Sequence, residues 1–121
     1  MNILQLIVIN GYAHKNTVVN FKAGVNWLTG ENEGGKTELL DMIQYALTGQ
    51  GLRSDKADYK GLDVSLYFKV LDKIYFVQRA KQTKLIEVEI KGDNFVKKSD
   101  IAVGITAVNN AIIERLGYDA S

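Results

Sequence analysis

The residues with the clearest chemical spacing lie in TGENEGGKTELLDMIQYALTG, Thr29 to Gly49. Gly30, Gly35, Lys36 and Thr37 meet the pattern G-x-x-x-x-G-K-[ST]. Glycines let a backbone wrap closely and adopt positive φ, so consecutive N–H groups converge on an anion. A helix that starts at once adds its unsatisfied N–H groups and the positive end of its dipole. A lysine at this offset reaches the outer phosphates of a nucleotide, and a hydroxyl next to it reaches Mg²⁺. The stretch thus reads as a phosphate and magnesium grip. Glu33 sits inside it, and a carboxylate facing the ligand would repel phosphate. It either lies solvated on the outer rim, or shapes the loop or faces a partner across the nucleotide.

Such a grip needs a strand before it and a helix after it. The sequence offers both: a short strand over about 25–29 and a helix over about 36–48, with Leu39, Leu40, Ile43, Ala46 and Leu47 on one face. Gly49 suits the C′ stop. Upstream, Ile3 to Ile9 reads as a strand buried on both faces, GYAHKN as a turn, and about 17–21 as a second strand. Downstream, QGLRSDKADYKG reads as a loop. Strands follow over about 63–71, 73–80 and 84–91, with Leu71-Asp72-Lys73 and Lys81-Gln82-Thr83 as turns. Ile86, Val88 and Ile90 alternate with Glu87, Glu89 and Lys91, one dry face against one wet face. After a turn at Lys91 to Asn94, Ser99 or Asp100 caps a helix over about 100–116. Its expected stripe is Ile101, Ile105, Val108, Ile112 and Leu116, and Gly117 is its expected stop. The fold class is α/β: a mixed sheet plus an antiparallel sheet, with the grip helix and a C-terminal helix, in one domain over 1–121.

Composition removes several functions. With no cysteine there is neither a disulfide nor a thiolate metal site. A formal net charge of +1 gives no basic coat for nucleic acid. No apolar run is long enough to span a bilayer, and MNILQLIVIN lacks the basic start of a signal peptide. Arg53, Lys56 and Lys60, and Lys97-Lys98, are the local cations that could touch DNA phosphates, balanced by Asp55, Asp58 and Asp100.

The frame VINGYAHKNT, then VNFKAGVNWLTGENEGGKT, then LLDMIQYALTG resembles the N-terminal lobe of the SMC/RecN/SbcC-type ATPases. These are the ABC-like P-loop heads of DNA-repair and chromosome-organising machines. The likeness runs over nearly the whole chain, and it is most specific at the Walker A loop. It implies that Asn32, Gly34, Gly35, Lys36 and Thr37 line the triphosphate of ATP, with Gly30, Glu33 and Glu38 completing the set and Thr37 on Mg²⁺. Arg79 falls where such heads often carry a basic residue at a strand end, although an ordinary surface charge is the alternative; Asp41 lies on the helix after the loop. Two positions depart from the family pattern. Gly11 and Tyr12 stand where a Phe-Arg pair is usual, with Tyr12 or His14 as nearby substitutes, and N-E-G-G-K replaces N-G-x-G-K.

No residue here supplies a catalytic carboxylate or a Walker B strand. The chain therefore reads as an N-terminal fragment ending before the glutamine loop, expected to bind nucleotide weakly or not at all when alone and not to turn it over. The resemblance implies a C-terminal ATPase lobe of the same or a partner chain as its partner, a homodimer, a nuclease subunit, DNA, and a cytoplasmic or nucleoid location. Two other readings remain: a non-catalytic scaffold pairing with another ATPase lobe, and a small stand-alone P-loop enzyme. The second lacks the repeated β-α-β alternation such enzymes use.

Overall fold

The structure, a computed structural model, describes residues 1–9, 16–21, 33–50 and 61–120, with 33–38 and 118–120 described by backbone alone. The described elements are β1 (Asn2–Ile9), β2 (Asn16–Asn20), α1 (Glu33–Thr48), β3 (Asp63–Val70), β4 (Lys73–Arg79), β5 (Thr83–Lys91), β6 (Asn94–Val103) and α2 (Ile105–Ala120). The strands form one sheet in the order β2-β1-β3-β4-β5-β6. Every pairing in it is antiparallel. Among the described residues the two expected groups of strands form one antiparallel sheet, and the strand at 25–29 that belongs to the expected mixed part lies outside them. β1 pairs directly with β3, from Ile9 opposite Asp63 to Asn2 opposite Lys69, and so fuses the two groups of strands. The expected strand at 25–29, the turn at 10–15 and most of the loop at 50–61 lie outside the described residues.

One face of the sheet is covered by both helices. Leu6 and Val8 of β1, Val64, Leu66 and Phe68 of β3, Val77 of β4 and Leu85 of β5 are fully buried there with Met42 and Ala46 of α1 and Val108 of α2. Burying aliphatic side chains of this kind contributes about 1.5–3 kcal/mol each before the entropy of ordering the chain is subtracted. A bulge at Leu4 shifts the β1–β3 register between Ile3 and Gln5. It turns Ile3 onto the same face as Leu6, where strict alternation would put it opposite. The other side of β1 is less covered than the sequence predicts, because Ile9 is 41% exposed.

The end of the chain also differs from expectation. Residues 94–103 are a strand, β6, and the helix begins only at Ile105. Ser99 and Asp100 pair with Glu87 and Ile86 of β5 instead of capping a helix. A capping signal has lost to a sheet ladder, because pairing satisfies the backbone along the whole strand. The true start is Gly104, whose φ of +101° turns the chain out of the strand. Its N–H donates to the Thr83 carbonyl at 2.8 Å, and its own carbonyl accepts from Val108 N–H at 2.9 Å. Ile101 is therefore in β6, and Ile105 is 62% exposed; the buried stripe of α2 is Val108 and Ile112, with Leu116 partly covered. Gly117 does not end α2, which continues to Ala120.

The second face of the sheet is not simply wet. Register places Tyr67, Phe76, Ile86, Val88 and Phe95 together on the side away from the helices. The Phe95 and Tyr67 rings stack with centroids 3.9 Å apart, and Tyr67 meets Phe76 at 4.7 Å. β3 and β6 are separated by two strands, so this contact requires a strongly coiled sheet. β6 provides the coiling through extra residues at Lys98 and Ile101, where the β5 register skips. The result is a small second core, with Val88 buried under it.

Candidate functional site

The grip sits at the start of α1. The helix opens at Glu33, three residues before the expected start at 36, so Gly34 and Gly35 belong to its first turn. The N–H groups of Glu33, Gly34 and Gly35 therefore have no intrahelical acceptor, and they gather at the positive end of a helix of 16 residues. Two adjacent residues without Cβ leave that backbone open to close approach. Such a donor set fits a phosphate, and this is the observation on which the fit of a nucleotide rests. Gly30 and Asn32 lie outside the described residues, as do Gly11, Tyr12 and His14. Glu33, Lys36, Thr37 and Glu38 are placed by backbone on the first turn and a half of α1. Among the described residues no group of His, Cys, Asp and Glu could hold a metal by itself. Mg²⁺ keeps several waters and commonly binds through one or two carboxylates together with substrate phosphates.

The remainder of α1 is what holds that turn in place. Met42, Ile43 and Ala46 are buried against the sheet, with Leu39 and Leu47 packed at the margin. Leu40 is only half-buried, and Met42, which the expected stripe did not include, is fully buried. Gly49 ends the helix with φ +77°, its N–H bonded to the Tyr45 carbonyl at 2.7 Å.

Arg79 is the residue the sequence places least well. It is not a surface charge: it ends β4 at 2% exposure. Its Nε donates to the Ala46 carbonyl at 3.0 Å, and its Nη2 donates to Asn109 Oδ1 of α2 at 2.6 Å. Nη1 has no partner. Burial pulls the guanidinium below the ordinary arginine value, and Tyr45 acts in the opposite direction. Arginine starts so high that it stays charged at neutral pH. A sequence signal for this existed. Tyr75, Val77 and Arg79 occupy alternate positions of one strand, so Arg79 continues the face of two apolar residues.

The lysines considered for DNA are differently placed. Lys97 and Lys98 lie on β6 and are paired, Lys97 with Asp100 at 2.8 Å and Lys98 with Glu87 at 3.4 Å. Arg53, Lys56 and Lys60 lie outside the described residues. Asp41 is half-buried on α1.

Comparison with known proteins decides the family. An AAA domain model matches residues 4–116. The chain belongs to the AAA-domain family, among ATPases of the SMC and Rad50 type. This AAA domain is 29% identical to the DNA double-strand break repair Rad50 ATPase of Sulfurisphaera tokodaii, over 98% of the chain and 14% of that protein. It is 27% identical to the DNA replication and repair protein RecF of Clostridium tetani, over 97% of the chain and 30% of that protein. Exonuclease subunit 2 of Escherichia phage RB69 is 32% identical over 54% of the chain and 13% of that protein. The AAA domain spans 14% of the length of the Rad50 relatives from Sulfurisphaera tokodaii and Sulfolobus acidocaldarius.

Proposed function

We propose that this AAA domain is the ATP-binding lobe of a DNA-repair ATPase, holding Mg-ATP at the N-terminus of α1. The observation that carries the reading is the backbone of Glu33 to Gly35, which opens α1 with N–H groups that have no intrahelical acceptor, directly before Lys36 and Thr37. In this reading the N–H groups and Lys36 neutralise the β- and γ-phosphates, and Gly30, Asn32 and Gly34 let the loop close around them. Thr37 would hold Mg²⁺, which would supply positive charge to offset that of the phosphates. Glu33 and Glu38 stand beside the grip.

The lobe works with a second ATPase lobe that supplies the carboxylate for water activation. The names of its relatives support DNA as the ultimate object and a nuclease as an associated subunit. The cytoplasm, at the nucleoid, is where such an activity belongs.

A fluorescent ATP analogue titrated into the purified chain with Mg²⁺ tests the grip. Lys36→Ala is expected to weaken binding by about 10- to 100-fold, the effect of losing hydrogen bonds to a charged group. Thr37→Ala should lose the gain in affinity that Mg²⁺ gives while keeping metal-free binding. Saturable binding that Lys36→Ala leaves intact would sink the assignment.

A further inference from the structure

α1 has one end for the nucleotide and another that sits on a buried cation. Its last turn contains no basic residue of its own. The positive charge that the negative end of a helix dipole favours is supplied from β4, by Arg79. The bond is specific. In a continuing helix the Ala46 carbonyl would accept from Gln50 N–H, but that N–H donates to Thr48 Oγ1 instead, at 3.1 Å. Ala46 is thus left with an orphan carbonyl, and Arg79 Nε fills it.

The same guanidinium reaches α2. Next to this bridge the two helices part, leaving an open cleft of about 570 Å³ lined by Leu47, Thr48, Asn109, Ile113 and Leu116. Ile113 on its wall is 67% exposed. With one nitrogen bonded to α1 and another to α2, the guanidinium ties the two helices together where their apolar contact ends. Gly49 closes the third side. A Cβ there would lie 3.4 Å from Nη1 and 3.6 Å from Asn109 Nδ2, so helix end, arginine and asparagine are packed against one another.

We propose that Arg79 is a positioning residue for the phosphate grip at the opposite end of α1, and that its bond to Asn109 makes α2 follow that helix. This rests on the reading of α1 as a nucleotide-binding helix. The ten residue steps from Lys36 to Ala46 span about 15 Å, so a tilt of about 5° at the clamped end moves the Lys36 end by about 1 Å. Misplacement of that size is enough to cost a preorganised site much of its effect. Arg79 is bonded near the C-terminal end of α1, away from the turn that carries Lys36. It acts through the rigid rod between them, and through Asn109 it converts a shift of α1 into a shift of α2.

The test uses Arg79→Gln, Arg79→Lys and Asn109→Ala in the full chain, with Lys36→Ala as the reference for nucleotide binding. Two quantities are measured: affinity for a fluorescent ATP analogue with Mg²⁺, and amide hydrogen exchange of α1 and α2 with and without it. Arg79→Gln should weaken binding about tenfold, while amides of β3 keep their protection. Arg79→Lys, which keeps the charge but not the fork, should fall between. Asn109→Ala should weaken binding less, yet abolish the slowing of exchange in α2 that nucleotide causes in the unmodified chain. A role confined to holding the fold together would lower melting temperature without touching either quantity. Unchanged affinity in Arg79→Gln, or nucleotide-dependent protection of α2 that survives Asn109→Ala, overturns the proposal. If the unmodified chain binds no nucleotide, the grip reading fails, and exchange without ligand decides the clamp. Arg79→Gln must then speed exchange along α1 as far as Lys36 with β3 still protected; unchanged exchange in α1 refutes it. If Arg79→Gln does not fold, Asn109→Ala carries both readouts.

Discussion

Leu71 is the only non-glycine residue with positive φ among the described residues, at 58° in the β3–β4 turn. Val70 pairs with Lys73, so Leu71 and Asp72 make a two-residue hairpin loop with positive φ at its first position alone, where glycine is preferred. Its side chain is exposed and offsets none of the strain. Leu71→Gly should raise stability by up to about 1 kcal/mol, the left-handed penalty less the greater freedom of glycine in the unfolded chain. Urea denaturation measures it, and a fall in the midpoint would show that Leu71 packs. Tyr67 yields a pH prediction. Burial against Phe95 and Phe76 pushes its phenol above the ordinary value of 10.0. The unfolded chain then ionises first, so its contribution is intact below pH of about 10 and is lost as pH climbs toward the raised folded value. Tyr67→Phe should keep the stack and reduce that alkaline loss, read as melting temperature against pH. At this scale the helix that follows the Gly34-Gly35-Lys36-Thr37 run was legible in the sequence because its apolar spacing is local. Arg79 was not, because its burial depends on a carbonyl and an asparagine brought from two other elements.

Elements were legible where their pattern was local. The alternation in β3 and β4 and the apolar stripe of α1 are written in neighbouring residues. β6 was missed because most of it is exposed and much of it polar, and only pairing with β5 reveals it. Phe95 shows what that strand contributes. Phe95→Ala removes the ring stacked on Tyr67 and uncovers Val88, with an expected loss of about 2 kcal/mol, below the full range for a buried Phe because Phe95 is only half-buried. Chemical denaturation checks it, and tyrosine absorbance should report a more solvated ring. α2 offers the opposite case. Gly117 sits inside the helix, and a methyl group in place of its Hα would meet nothing within 4 Å. Gly117→Ala should therefore add up to about 1 kcal/mol through helix propensity. A loss would mean that the cleft beside it needs the space.

For the molecule as a whole, binding and folding are linked. If Mg-ATP binds the native chain and not the unfolded one, a concentration about 100 times Kd adds about 2.7 kcal/mol. Thermal unfolding of the unmodified chain should shift upward by several degrees, and that of Lys36→Ala by half as much or less. A chain of both strands and helices could be read from the sequence, but the pairing of β1 with β3 could not. Whether β1 joins β3 is a choice between strands over 50 residues apart, and no local pattern encodes it.

The two margins of this sheet are not equivalent. β6 has its regular row of backbone donors and acceptors interrupted at Lys98 and Ile101, and it carries two adjacent lysines at its centre. A foreign strand cannot zip along it. β2 is short but unbroken, and its register against β1 runs without a shift. Among the described strands only the β2 margin keeps an unbroken ladder, so two copies joined along their sheets would meet β2 to β2, a two-fold pair that uses up the edge it is built on.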